Sequence, residues 1–165
     1  MITIRPAQPE DAGLILGFIR ELADYERLAD EAQATEADLT AALFCAQPRV
    51  FCDLAEWNGA PAGFALWFYS FSTFKGRHGI YLEDLFVRPE HRGRGLGKAL
   101  LTHLARRCTA ERLGRLEWAV LDWNAPSIAF YEALGAKPMG DWTVYRLTGD
   151  NLDALGTPEE ATCSS

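Results

Sequence analysis

The chain has 165 residues, 48% hydrophobic and 24% charged, a length and balance that suit one soluble globular domain burying about 70% of its unfolded surface. Its formal net charge of −7 and pI near 5.0 count against nucleic acid as a partner and favour cationic small molecules. No apolar run approaches the roughly 20 residues of a membrane span, and the opening MITIRPAQPED lacks the charged-then-apolar layout of a secretory signal.

Ile2 to Arg5 alternates apolar and polar residues and ends at Pro6, the pattern of an edge strand. Pro9-Glu10-Asp11 opens a helix on which Ile15, Ile19, Leu22 and Glu26 follow one stripe, so Glu26 continues the buried line. Thr35 starts a second helix, and Pro48 marks the stop before the next element. The segments RVFCDLAEW and GFALWFYSF flank Asn58-Gly59 and predict an antiparallel hairpin. A short basic loop, STFKGRHG, leads into the strand IYLEDLFV.

Leu96, Leu100, Leu104 and Cys108 recur at helical spacing up to a stop near Gly114. LEWAVLDW reads as a strand covered on both faces, Pro126 opens a short helix that Gly135 closes, and WTVYRL predicts a last strand. Residues 1–147 thus form one α/β domain, with a loosely attached polar tail over 148–165. Three of the four cysteines (Cys45, Cys52, Cys108, Cys163) sit in apolar segments, and none has metal-ligand spacing. They read as reduced core residues of a cytoplasmic protein without a metal.

HRGRGLGKAL, residues 91–100, sets three glycines at alternate positions between a strand and a helix. Unpaired amides at such a turn, backed by the positive helix end, suit an anion. The P-loop spacing fails, because Arg92 stands where a glycine is needed and Ala99 where Ser or Thr is. The dinucleotide fingerprint fails at Lys98 and Leu100.

Arg92-x-x-Gly95-x-Gly97 does resemble the acetyl-CoA signature of the GNAT acetyltransferases. WNAPSIAFYEALGAKP resembles that family's later segment, and with YLEDLFV the likeness covers residues 2–147. RELADYERL, FYSFSTFKGR and AVLDWNAPSIAFYEALGA are similar to its diamine acetyltransferase branch, above all the thialysine acetyltransferases. Members acting on spermidine and spermine usually carry an acidic residue near Thr73, and its absence here counts against long polyamines.

The resemblance implies a GNAT fold: a mixed sheet with antiparallel N-terminal strands and a parallel pair at the cofactor site, flanked by helices. It also implies acetyl-CoA as co-substrate, direct attack of a small primary amine on the thioester, and a homodimer. Leu85, Phe86, Val87, Arg92, Gly93, Arg94, Gly95, Leu96, Gly97, Lys98, Asn124, Ser127 and Tyr131 would then hold the cofactor. Asn124 equally suits a helix cap.

A primary amine is almost fully protonated at neutral pH, and freeing its lone pair costs roughly 4–5 kcal/mol. A base on the amine side and an acid near sulfur are therefore expected. Glu83 is the candidate base, directly or through water, with Asp84 on the substrate cation and Tyr131 as acid. The two carboxylates point to opposite faces of a regular strand unless a bulge intervenes, and both equally suit structural hydrogen bonds. Glu26 suits either the far ammonium of a diamine, as the resembling branch implies, or water at the helix end. Lys75 and Arg77 suit solvent or, for an amino-acid substrate, its α-carboxylate. Phe71, Phe74 and Trp67 suggest a closed pocket. The competing readings are an acetyltransferase of protein amino termini or lysines and a non-catalytic acetyl-CoA-binding module.

Overall fold

Asn58 and Gly59, with φ of 52° and 82°, make the left-handed turn that a two-residue hairpin needs. They join β2 (Phe51–Trp57) to β3 (Ala60–Ser72). The computed structural model describes residues 1–157 and divides into two compact units, Met1–Trp123 and the residues from Asn124 onward. In the first unit β1 (Ile2–Pro6) is antiparallel to β2, β3 is antiparallel to β4 (Arg77–Val87), and β5 (Leu116–Trp118) runs parallel to β4. The order β1-β2-β3-β4-β5 is the mixed sheet expected.

Helices form where the sequence supplies their ends. A single 3-10 turn at Pro9–Asp11 precedes α1 (Ala12–Tyr25). α2 (Glu36–Leu43) opens on a reciprocal cap in which Thr35 Oγ1 accepts from the Asp38 amide at 3.2 Å and the Asp38 carboxylate accepts from the Thr35 amide at 2.9 Å. α3 (Leu96–Ala110) buries Leu96, Leu100 and Leu104 almost completely, each contributing about 1.5–3 kcal/mol.

Sheet register decides which residues share a face. Cys52 pairs with Leu66, and Leu54 with Phe64. These pack with Ile15, Phe18 and Leu22 of α1 and with Leu39 and Leu43 of α2 as one apolar cluster. The Arg107 guanidinium of α3 lies over the Trp67 ring, which places Trp67 on the opposite face. In β4, Leu82 pairs with Trp67 but Asp84 pairs with Leu66, so one extra residue, Glu83, is inserted between them. That bulge moves the even-numbered side chains of β4 from the α3 face to the α1 face.

Several expectations need correction. LEWAVLDW is a strand only over Leu116–Trp118, because the parallel ladder ends at Leu82 with Trp118, where the bulge turns β4. Cys45 is exposed and Cys108 half-buried, so only Cys52 is a core cysteine among these three, and Cys163 lies outside the described residues. Phe71 and Phe74 are 52% and 96% exposed, whereas Trp67 is buried. The first two sit at the β3–β4 hairpin end, and the three do not enclose a pocket.

The second unit contains α4 (Ala125–Ala133) and α5 (Gly149–Gly156). WTVYRL forms no strand. No other strand lies in that unit's described residues to satisfy its backbone groups. Where a polar tail was expected from residue 148, α5 follows at once.

Candidate active site

The glycine loop begins where β4 ends. A 3-10 turn, Pro89–His91, leads to Gly93 and Gly95 with φ of 75° and 87°, and Gly95 is the residue before α3. A Cβ at Gly93 would meet nothing within 4 Å, and one at Gly95 only Ile2 Cδ1 at 3.9 Å. Conformation, not crowding, therefore calls for glycine at both positions. No side chain caps α3, so its first amides are available to an anion, with the positive helix end behind them.

The arginines of this loop are held from below. Arg92 Nε donates to the Val87 carbonyl at 2.9 Å, and its guanidinium lies 4.6 Å from the Tyr25 ring centre. Arg94 lies 5.1 Å from the Trp57 ring centre. Both side chains thus brace the loop against aromatic rings. The adjacent Arg88 pairs with Glu21 at 2.8 Å and fixes the strand end to α1.

Beyond Leu82 no strand among the described residues pairs with the outer side of β4, so the Glu83–Val87 stretch is a sheet edge beside the loop. Phe86 points into the core and is 4% exposed, leaving only its main chain for a cofactor contact. Leu85 and Val87 are half-buried along the same stretch.

The bulge sets the chemistry of the second group. Glu83, the inserted residue, is exposed, while Asp84 turns half-buried toward the α1 face. Glu26 caps the end of α1, also half-buried. Burial first, then the charges of Glu83 and Glu26, push Asp84 up to about 6. Burial also raises Glu26. Asp84 thus lies within the fields of two further carboxylates, an arrangement that a bound cation would relieve.

A chain of contacts runs from the loop to the two residues that flank Glu26 in sequence. Arg92 covers Tyr25, whose ring centre lies 6.2 Å from that of Trp123, and Arg27 covers Trp123 at 5.2 Å. Tyr25 and Trp123 were not singled out from sequence. The usable signal was that Tyr25 directly precedes Glu26 and Trp123 directly precedes Asn124.

Arg77 does not join this group. It starts β4 six residues before Glu83, about 20 Å away along an extended strand. Lys75 shares the exposed hairpin end.

In the second unit, Asn124 caps α4: its Oδ1 accepts from the Ser127 amide at 3.3 Å. Tyr131 is half-buried on α4, its ring 5.4 Å from that of Phe130. Among the described residues no cluster of His, Cys, Asp or Glu is suited to a metal ion, and no helix is long and apolar enough to cross a membrane.

Comparison with known proteins follows the same lines. The model of the acetyltransferase (GNAT) family matches residues 18–136. A thialysine N-epsilon-acetyltransferase of Bos taurus is 38% identical, covering 93% of this chain and 96% of its own. An Arabidopsis thaliana acetyltransferase named for L-ornithine is 32% identical, covering 92% and 86%. Among solved structures, an integron cassette protein from V. cholerae superposes with a TM-score of 0.79 at 28% identity, covering 95% of this chain and 98% of its own.

Proposed function

The chain belongs to the GNAT acetyltransferase family and is an acyltransferase, and from that premise we propose that it acetylates the side-chain amine of a small amino acid, or a short diamine. The observation that carries this reading is the carboxylate trio Glu26, Glu83 and Asp84, with Asp84 raised to about 6 by burial and then by the charges of the other two. The relatives named for thialysine and L-ornithine support it, since both names denote amino acids with an amine at the side-chain end.

Family members use acetyl-CoA as co-substrate, and the residues here fit it. Two left-handed glycines and an uncapped helix suit its diphosphate. The open side of Leu85–Val87 suits an arm bearing amide groups. Backbone amides from Arg92 to Lys98 would hold the phosphates, with Asn124 and Ser127 beside the arm, as the family motif implies. The bound group supplies an acetyl thioester.

The protein's own residues then do the rest. Asp84 and Glu26 hold the substrate cation, the exposed Glu83 carboxylate accepts the ammonium proton directly or through water, and the Tyr131 hydroxyl holds the proton the departing sulfur needs. A second reading exchanges two roles. Asp84, near 6, is closer to neutrality than an ordinary carboxylate and is the better-tuned base. Loss of kcat with KM unchanged in Asp84→Asn would favour that exchange, and a rise in KM alone would favour cation binding.

The test is amine-dependent release of CoA thiol with thialysine, lysine, ornithine, putrescine, spermidine and a peptide amine side by side. Preference for thialysine, ornithine or putrescine is expected. Preference for the peptide amine would overturn the substrate class. Acetyl-CoA binding without turnover on any amine would make the protein a binding module.

A further inference from the structure

An amino acid differs from the corresponding diamine by one group, the α-carboxylate, which calls for a cation near the carboxylate trio. Lys75 and Arg77 sit at the β3–β4 hairpin end, away from it. Arg88 and Arg92 are engaged, one on Glu21 and the other on the Val87 carbonyl. Arg27, which is exposed, directly follows Glu26 at the end of α1.

The helix closes with the Leu28 amide donating to the Ala23 carbonyl at 2.8 Å and the Arg27 amide to the Asp24 carbonyl at 3.1 Å. That closure puts Arg27 in the left-handed region, with φ of 61°, where glycine is the usual and less strained residue. The fold alone would favour glycine there, so the side chain needs another reason. A cation suits a helix C-terminus, but this guanidinium lies over the Trp123 ring, 5.2 Å from its centre, and Trp123 rests in turn against Tyr25. Such a contact holds the guanidinium without an acceptor oxygen, so its fork of N–H donors stays open to a carboxylate. Among the described residues no carboxylate pairs with Arg27, and none of its side-chain donors has an acceptor. Glu26 has no cation either: burial raises it, and Arg27 does nothing to lower it. Two consecutive residues thus offer an unpaired carboxylate and an unpaired guanidinium. An α-amino acid carries the complementary pair of charges on one carbon.

We propose that Arg27 receives the α-carboxylate of an amino-acid substrate while Glu26 receives its α-ammonium, leaving the side-chain amine to extend toward Glu83 and Asp84. Arg27 is then the residue that favours amino acids over diamines, which offer Glu26 an ammonium but Arg27 nothing. The assignment rests on the reading of the protein as an acetyltransferase of small amines.

The experiment measures kcat/KM by thiol release for L-ornithine, L-ornithinamide and putrescine, using the full chain as wild type, Arg27→Gly and Arg27→Lys. Glycine suits the left-handed backbone, so that variant keeps the fold. Wild type should favour ornithine over its amide by about tenfold or more, the scale of one charge-assisted contact. Arg27→Gly should lower the ornithine-to-putrescine ratio at least about tenfold, mainly through the KM for ornithine, and Arg27→Lys should recover part of it. Calorimetry with L-ornithine in the presence of CoA should show the same weakening without turnover. An equal loss on all three amines would mark a merely structural role and overturn the assignment. So would an unchanged ratio, or a wild type that treats ornithine and its amide alike. Ornithine binding that needs Arg27, with no amine turned over, would uphold the assignment and overturn acetyl transfer. Absence of both binding and turnover would overturn both.

Discussion

Asp84 should make the folded protein weaker at neutral pH, and replacing it should show this. Its carboxyl rises from an ordinary value of 3.8 to about 6, chiefly through burial and then through Glu83 and Glu26. That rise corresponds to about 3 kcal/mol of preference for the neutral acid, an upper figure, since solvent and nearby cations relax part of it. The sign follows from proton binding. Between pH 4 and 6 the folded state holds the proton more tightly than the unfolded chain, so unfolding free energy falls as pH rises through that window. Asp84→Asn removes the titration. Denaturant unfolding from pH 4 to 8 should show a variant equal to wild type near pH 4 and about 1–3 kcal/mol more stable at pH 8. Its kcat/KM for the amine should fall at the same time. A variant less stable than wild type at pH 8, or one that keeps the wild-type fall between pH 4 and 6, would refute the reasoning.

Gly95→Ala places a Cβ on a backbone with φ of 87°. It should cost about 1–2 kcal/mol of stability and raise the KM for acetyl-CoA, as urea unfolding and initial rates would show. Tyr131→Phe should lower kcat about 10²-fold or more with the KM for acetyl-CoA nearly unchanged, measured as thiol release. Thr35→Ala breaks the reciprocal cap of α2 and should cost about 1 kcal/mol with full activity retained, a control remote from the site.

Much of the first unit was legible because its turns carry chemical signatures. Asn58-Gly59 announced the hairpin, Thr35 with Asp38 announced α2, and alternate glycines announced an uncapped helix. The bulge at Glu83 left no such mark, since an inserted residue in YLEDLFV looks like any other strand residue. Yet the bulge decides that Asp84 shares a face with α1 and Glu26. It also explains why LEWAVLDW, apolar enough for a long strand, stops at Trp118. The expected strand at WTVYRL failed for another reason: a local pattern cannot supply the neighbour a strand requires.

The uncapped start of α3 has a consequence for turnover. If its amides grip the diphosphate, they hold the portion of the donor that is the same before and after the acetyl group departs. Spent coenzyme would then rival fresh donor at the same berth, and product inhibition by free CoA should be competitive against acetyl-CoA. The helix end that recruits the donor would also slow the enzyme's own clearance of it.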